Sequence, residues 1–130
     1  MPIARFAVSI VALIHVAISV VEICFWETPV IYGRLGFTAE IAHQVTAIVQ
    51  NAGVYNSFIA AGLLWSLFTQ EHSFQTKTFF LLCVLIAGIF GAITLSPNTL
   101  ILQALPALLA LILVWAAREK LSFKPNKSVH

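Results

Sequence analysis

The chain has 130 residues, is 60% hydrophobic and only 9% charged, and carries a mean hydropathy of +0.96. Soluble domains carry about 25% charged residues, and small ones expose proportionally more surface, so water is excluded as the solvent for most of this chain. A net charge of +2, gathered toward one end, excludes nucleic acid as a partner, and no Gly-rich phosphate loop, CxxC pair or HExxH marks a catalytic or metal centre.

Four apolar stretches follow one another, each near the ~20 residues that ~30 Å of hydrocarbon requires. They cover about residues 5–25, 42–67, 78–95 and 98–117. The first is too long for a cleaved signal sequence and no small-residue cleavage site closes it, so it is read as a retained span. Between the first two, residues 27–41 carry Pro29, Gly33 and Gly36, which break a regular helix, beside the apolar Val30, Ile31, Tyr32, Leu35 and Phe37. This loop is expected to fold over the outer interface. Thr38 is placed to cap the second span, with Glu40 near the positive end of its dipole. Ser96-Pro97-Asn98 stops the third span and restarts the fourth, because proline cannot continue a helix while serine or asparagine can begin one. The expected fold is all-α: one integral membrane four-helix bundle over residues 1–130, with residues 118–130 as a basic tail.

Basic residues collect on the cytoplasmic side of membrane helices. Of the seven, Arg5, Lys77, Arg118, Lys120, Lys124 and Lys127 fall on the side of the termini and Arg34 alone on the other. Both termini are therefore expected in the cytoplasm, in a multi-pass protein of a bacterial inner (plasma) membrane. Trp26 would mark the outer interface, Trp65 and Trp115 the inner one. The basic tail reads as an anchor beside anionic lipid. Cys24 and Cys83 lie ~20 Å apart in depth, too far for a disulfide, and read as buried thiols.

Polar side chains inside hydrocarbon are costly and usually face a partner, a cavity or a ligand. Here they converge on the outer half. His15 lies near the midplane and Glu22 two turns further out on the same face, with Ser19 between them and Trp26 beyond. On the second span, Asn51 and Tyr55 share the face of Gln44, with Asn56 adjoining. Gln103 enters from the fourth span and Thr94 from the third at similar depth. The inner half is almost purely apolar. Small residues (Gly53, Ser57, Ala60 and Ala61 on one span, Gly88, Gly91 and Ala92 on the next) allow close helix approach. Pro106 is expected to bend the fourth span just inward of Gln103, opening the outer half into a pocket. The candidate ligand-binding residues are His15, Glu22, Asn51, Tyr55, Asn56 and Gln103, with no metal among the expected ligands and no cofactor assigned.

At these residues the chain resembles a family of small bacterial membrane proteins known as domain of unknown function 1304. The resemblance runs over nearly the whole length. It rests on His15 with Glu22 and Trp26, on Asn51-Ala52-Gly53-Val54-Tyr55-Asn56 followed by Ala60-Ala61-Gly62-Leu63, on Ala87-Gly88-Ile89-Phe90-Gly91-Ala92 and on Gln103-Ala104-Leu105-Pro106-Ala107. The family pattern usually has glutamine where this chain has Ala52, and often tyrosine where it has Phe90. The resemblance implies the fold and the residue set, and no activity.

Three functional readings follow. The first is binding of a small amphipathic ligand or ion in an outer-half pocket, with Glu22 and His15 as a protonatable pair, transport included. The second is an intramembrane enzyme working on a lipid, quinone or isoprenoid, with Glu22 or His15 as acid or base and Tyr55 and Asn51 polarising the substrate. The third is a structural or accessory subunit whose polar groups fix helix register. Membrane lipid is the expected surrounding partner, a small hydrophobic ligand the expected guest, and association into a homo-oligomer is compatible with each.

Overall fold

The computed structural model describes residues 2–122, with the side chains of the last helix described through Arg118. Lys124 and Lys127 of the expected basic tail, and the side chain of Lys120, lie outside the described residues. The described chain is helical, without strands, and four of its helical runs are long and apolar enough to cross a membrane: Pro2–Phe25, Ala39–Phe68, Ser73–Thr94 and Leu100–Arg118.

The first run consists of α1 (Pro2–Val20) and a π-helical turn (Val21–Phe25). A short helix, α2 (Pro29–Arg34), takes up the loop, begun by a proline whose missing N–H would have been unpaired there in any case. Gly36, at φ +78°, supplies the left-handed turn that re-aims the chain. Thr38 then caps α3 (Ala39–Phe68), its hydroxyl accepting from Ile41 N–H at 3.3 Å. Next comes α4 (Ser73–Thr94), which includes a turn at residues 73–77 that hydropathy alone assigns to the preceding loop. At the Ser96-Pro97-Asn98 break, Ser96 O accepts from Thr99 N–H and Ser96 Oγ from Asn98 N–H. A second π-helical turn (Leu100–Ala104) leads into α5 (Leu105–Ser122).

Just before Pro106, where a bend is expected, stands that second π turn. Pro106 has no N–H to give the carbonyl four residues back, and Leu105 N–H donates five residues back, to Leu100 O. One widened turn absorbs the mismatch.

Packing places α1 against α3 and α5, and α4 against α3 and α5. The core is concentrated toward the end that carries the termini: Ala4, Val8, Val11, Ala12, Leu63, Leu67, Leu81, Val84, Ala107, Ala110, Val114 and Ala117. Small residues set the helix spacing. A Cβ on Gly88 would lie 2.6 Å from the backbone N of Ala104, and one on Gly62 would run into the Phe80 ring. The outer surface carries exposed large apolar side chains, among them Phe6, Ile48, Phe58, Ile86, Ile93 and Ile101. Such a surface suits hydrocarbon and would be a liability in water. Trp65 and Trp115 are exposed near the terminal end, whereas Trp26 is buried, at 4% exposure. Its indole N–H donates to Ala42 O at 2.9 Å and its ring meets the edge of Phe37, so it serves as a lock between the first run and α3.

Candidate functional site at the Glu22 turn

Glu22 lies on the first π turn, half-buried, at the end of the bundle away from the termini. A π turn sets a carbonyl out of the ordinary ladder, and such turns recur at functional sites. Here α3 supplies the partners. Gln50 Nε2 donates to Ile23 O at 3.2 Å, and Asn56 Nδ2 donates to Glu22 Oε2 at 2.8 Å. Gly53 lies between these two α3 residues and makes the approach possible. A Cβ there would lie 2.7 Å from Ile23 Cγ1, 3.0 Å from Glu22 Cβ and 3.2 Å from Ser19 O. The π turn and the glycine are thus complementary shapes, and the carboxyl–amide bond forms where they meet.

His15 is buried, at 2% exposure. Its Nδ1 lies 2.9 Å from Val11 O, and since a carbonyl only accepts, Nδ1 carries the hydrogen and Nε2 is the acceptor of the neutral ring. His15 and Glu22 therefore share a helix face but engage separate partners, a carbonyl of the same helix in one case and α3 in the other. Gln103 is half-buried on the second π turn, which packs on α4 and touches α1. Both π turns, with Glu22 on one and Gln103 on the other, stand at the same end of the bundle.

Asn51 and Tyr55 go elsewhere. Both are exposed, Tyr55 at 61%, with its ring against the edge of Phe58. They share this outward face with Gln44, so the common face read from their spacing is present, but it turns away from Glu22. Successive residues on a helix are ~100° apart, which is why Asn56 can reach Glu22 while its neighbour Tyr55 cannot. Thr94 is exposed and donates to Phe90 O of its own helix. Cys24 and Cys83 are free thiols, and Cys24 is exposed rather than buried.

A second polar cluster lies beyond the π turn, at the bundle's rim. The Glu27 carboxylate accepts from His43 Nδ1 at 2.7 Å and from Thr46 Oγ1 at 3.0 Å, the Thr46 hydrogen being shared with Ala42 O. The His43 hydrogen bond, followed by that of Thr46, holds the Glu27 carboxyl below its ordinary value of 4.5. Sequence reasoning missed this cluster, although Glu27 and His43 flank the loop that brings the first two spans together.

The geometry can be set beside known proteins. The model of a family described as "Protein of unknown function (DUF1304)" matches residues 9–115. The chain belongs to that family. The matched stretch contains His15, Glu22, Asn51, Tyr55, Asn56 and Gln103, while Arg5 and Arg118 fall just outside it. A curated relative, the uncharacterized protein YpaA of Lactococcus lactis subsp. lactis (strain IL1403), is 26% identical over 69 residues, covering 53% of this chain and 58% of that protein. The match thus spans little more than half the length of that relative, whose name states no activity. No solved structure matches the chain. Among the described residues, no group of three or more His, Cys, Asp or Glu side chains is placed to hold a metal ion.

Proposed function

We propose that this member of the family is a multi-pass protein of the bacterial inner (plasma) membrane, with both termini cytoplasmic, that binds a small amphipathic ligand or a cation at Glu22. The observation that carries the reading is the Asn56–Glu22 bond of 2.8 Å, formed between two apolar spans over a glycine that admits nothing larger. A carboxyl group at such a depth is stable only if protonated or met by a cation or hydrogen-bond donors. Asn56 satisfies Oε2 alone, and Oε1 has no partner among the described residues. A ligand with a cationic or donor headgroup and an apolar body would complete it, its body lying in hydrocarbon.

Gln103, on the neighbouring π turn, is the next polar group available to such a headgroup, and His15 Nε2 offers an acceptor about 10 Å deeper. Asn51 and Tyr55 stand outside this arrangement, on a face that lipid or a further copy of the chain would cover. Binding is favoured over acid–base catalysis because His15 and Glu22 are tied to different partners instead of to each other. The orientation rests on the clustering of basic residues at the terminal end.

The test is mass spectrometry of small molecules that co-purify with the protein in mild detergent, wild type beside Glu22→Gln. Glutamine keeps a carbonyl oxygen for Asn56, so the variant is expected to fold, and its thermal unfolding midpoint checks that it does. A defined molecule retained by the wild type and lost in the variant supports the site. Identical small-molecule content in two equally stable proteins would rule it out.

A further inference from the structure

The end of the bundle opposite Glu22, where the sequence collects the basic residues, contains a cavity of about 270 Å³. It lies where the first turns of α1 and α4 meet the last turns of α5, and its polar lining is Arg5, Gln70, Ser73, Lys77 and Arg118. Three basic residues thus line one small space, and no carboxylate lines it among the described residues. Lys77 is the informative one. It is buried, at 9% exposure, on the same stripe of α4 as Leu81, Val84 and Gly88, and its ammonium donates to the neutral Ser73 hydroxyl.

Burying an ammonium is unfavourable unless a counter-charge meets it, none lines the cavity among the described residues, and the positive charge of Arg5 adds repulsion. An anion in the cavity reverses both effects. The donor set selects its class. Two planar guanidinium forks and a point-charge ammonium suit the several oxygens of a phosphoryl group, and Ser73 and Gln70 can add neutral hydrogen bonds. Arg118 is held at the wall by its own stacking, 4.3 Å above the Phe74 ring, which is in turn edge-on to Trp115. The remaining walls, Ala4, Val114 and Ala117, are apolar. The volume falls just below the ~300–1,000 Å³ typical of small-molecule pockets, which suits a headgroup better than a nucleotide. Exposed Trp65 and Trp115 at this end mark the level where lipid phosphates lie.

We propose that this cavity binds a phosphoryl anion at the membrane surface, its expected source being the headgroup of an anionic phospholipid. The site is separate from Glu22, so each stands or falls without the other.

The experiment compares thermal unfolding of the protein in nanodiscs of phosphatidylcholine with nanodiscs containing phosphatidylglycerol, and in detergent with added inorganic phosphate or sodium chloride at matched ionic strength. Wild type, Lys77→Met and Arg118→Gln are run in parallel. The wild type is expected to gain stability with phosphatidylglycerol and, in native mass spectra, to retain it over phosphatidylcholine by about tenfold or more, as three basic groups at a membrane surface allow. Lys77→Met, relieved of a buried charge, is expected to be at least as stable as wild type in phosphatidylcholine and to lose most of the gain. Arg118→Gln, altered at an exposed position, should lose part of it and serves should the first variant misfold. Stabilisation by phosphate but not by phosphatidylglycerol supports the site with a soluble source. Stabilisation by sodium chloride equal to that by phosphate, or stabilisation by neither phosphate nor phosphatidylglycerol, overturns the proposal.

Discussion

The two ends of the bundle handle polar groups in opposite ways. At the Glu22 end, α3 reaches across and gives each group a partner from the same chain: Asn56 for the carboxyl, Gln50 for the Ile23 carbonyl, Ala42 O for the Trp26 indole, and His43 with Thr46 for Glu27. At the terminal end, Arg5, Lys77 and Arg118 gather around a cavity with hydroxyl, amide and aromatic neighbours but no acid among the described residues. One end is closed largely by internal bonds and keeps an oxygen of Glu22 open. The other has assembled basic side chains that no carboxylate lining the cavity neutralises among the described residues. Neutral partners can complete a carboxyl that is able to take up a proton. An arginine cannot discard its charge in the same way, so its complement comes from water or from an anion.

The largest expected effect comes from breaking the helix contacts that both ends depend on. Gly88→Val would press against the Ala104 backbone, which cannot rotate aside as a side chain can, so α4 and α5 must separate. A loss toward the upper end of ~1–3 kcal/mol is expected, read as a lowered unfolding midpoint in detergent. A wild-type midpoint would mean that the α4–α5 spacing is softer than the contact implies.

The carboxyl–amide bond comes next. Asn56→Ala and Glu22→Ala, combined in a double-mutant cycle, should give a coupling of about 0.6 kcal/mol and no more than ~1.7, the range for hydrogen bonds between membrane helices. Asn51→Ala, on the outward face, should show no coupling to Glu22. Coupling of Glu22 to Asn51 as strong as to Asn56 would contradict the inward orientation of Asn56.

Trp26→Phe keeps most of the ring packing and deletes the N–H to Ala42 O. The expected loss is about 1 kcal/mol, the net worth of one hydrogen bond, since Ala42 O keeps the Thr46 hydroxyl as a donor. Trp65→Phe, altered at an exposed ring, should change little, and near-equal losses would remove the distinction between lock and belt.

The smallest effect is expected at the rim. Glu27 is held below its ordinary 4.5, first by the His43 hydrogen bond and then by that of Thr46. A depressed carboxyl stabilises the fold above its unfolded value, and the contribution disappears as pH falls below about 4.5 and through the folded value. The pair is solvent-exposed, so the effect should be slight and weakened by salt. Glu27→Gln should flatten that acid limb of the unfolding midpoint. An unchanged limb would place the acid sensitivity elsewhere.

Much of this was legible in the residues. The four spans followed from hydropathy and length, the break at Ser96-Pro97-Asn98 from proline and capping chemistry, and Glu22 from its presence in an apolar run. The inward face of α3 was harder to read. Spacing correctly grouped Gln44, Asn51 and Tyr55 on one face, yet it does not say which way a face turns when core and lipid are both apolar. A usable signal was present: Asn56 stands three residues after Gly53 and four before Ala60, on the small-residue stripe where helices meet. Lys77 was read as an edge charge because hydropathy begins the span after it. The stripe Lys77, Leu81, Val84, Gly88 carries the buried face of α4 back through it.

By itself the sequence determined the number of spans, their breaks and their preference for hydrocarbon, because these depend on local chain length, backbone chemistry and summed transfer energy. Only the tertiary structure decided that Asn56 rather than Asn51 meets Glu22, and that three basic residues distant in the chain line one cavity. Those outcomes turn on helix rotation about its own axis, which in an apolar solvent is set by close packing at Gly53, Gly62 and Gly88 and not by hydrophobicity.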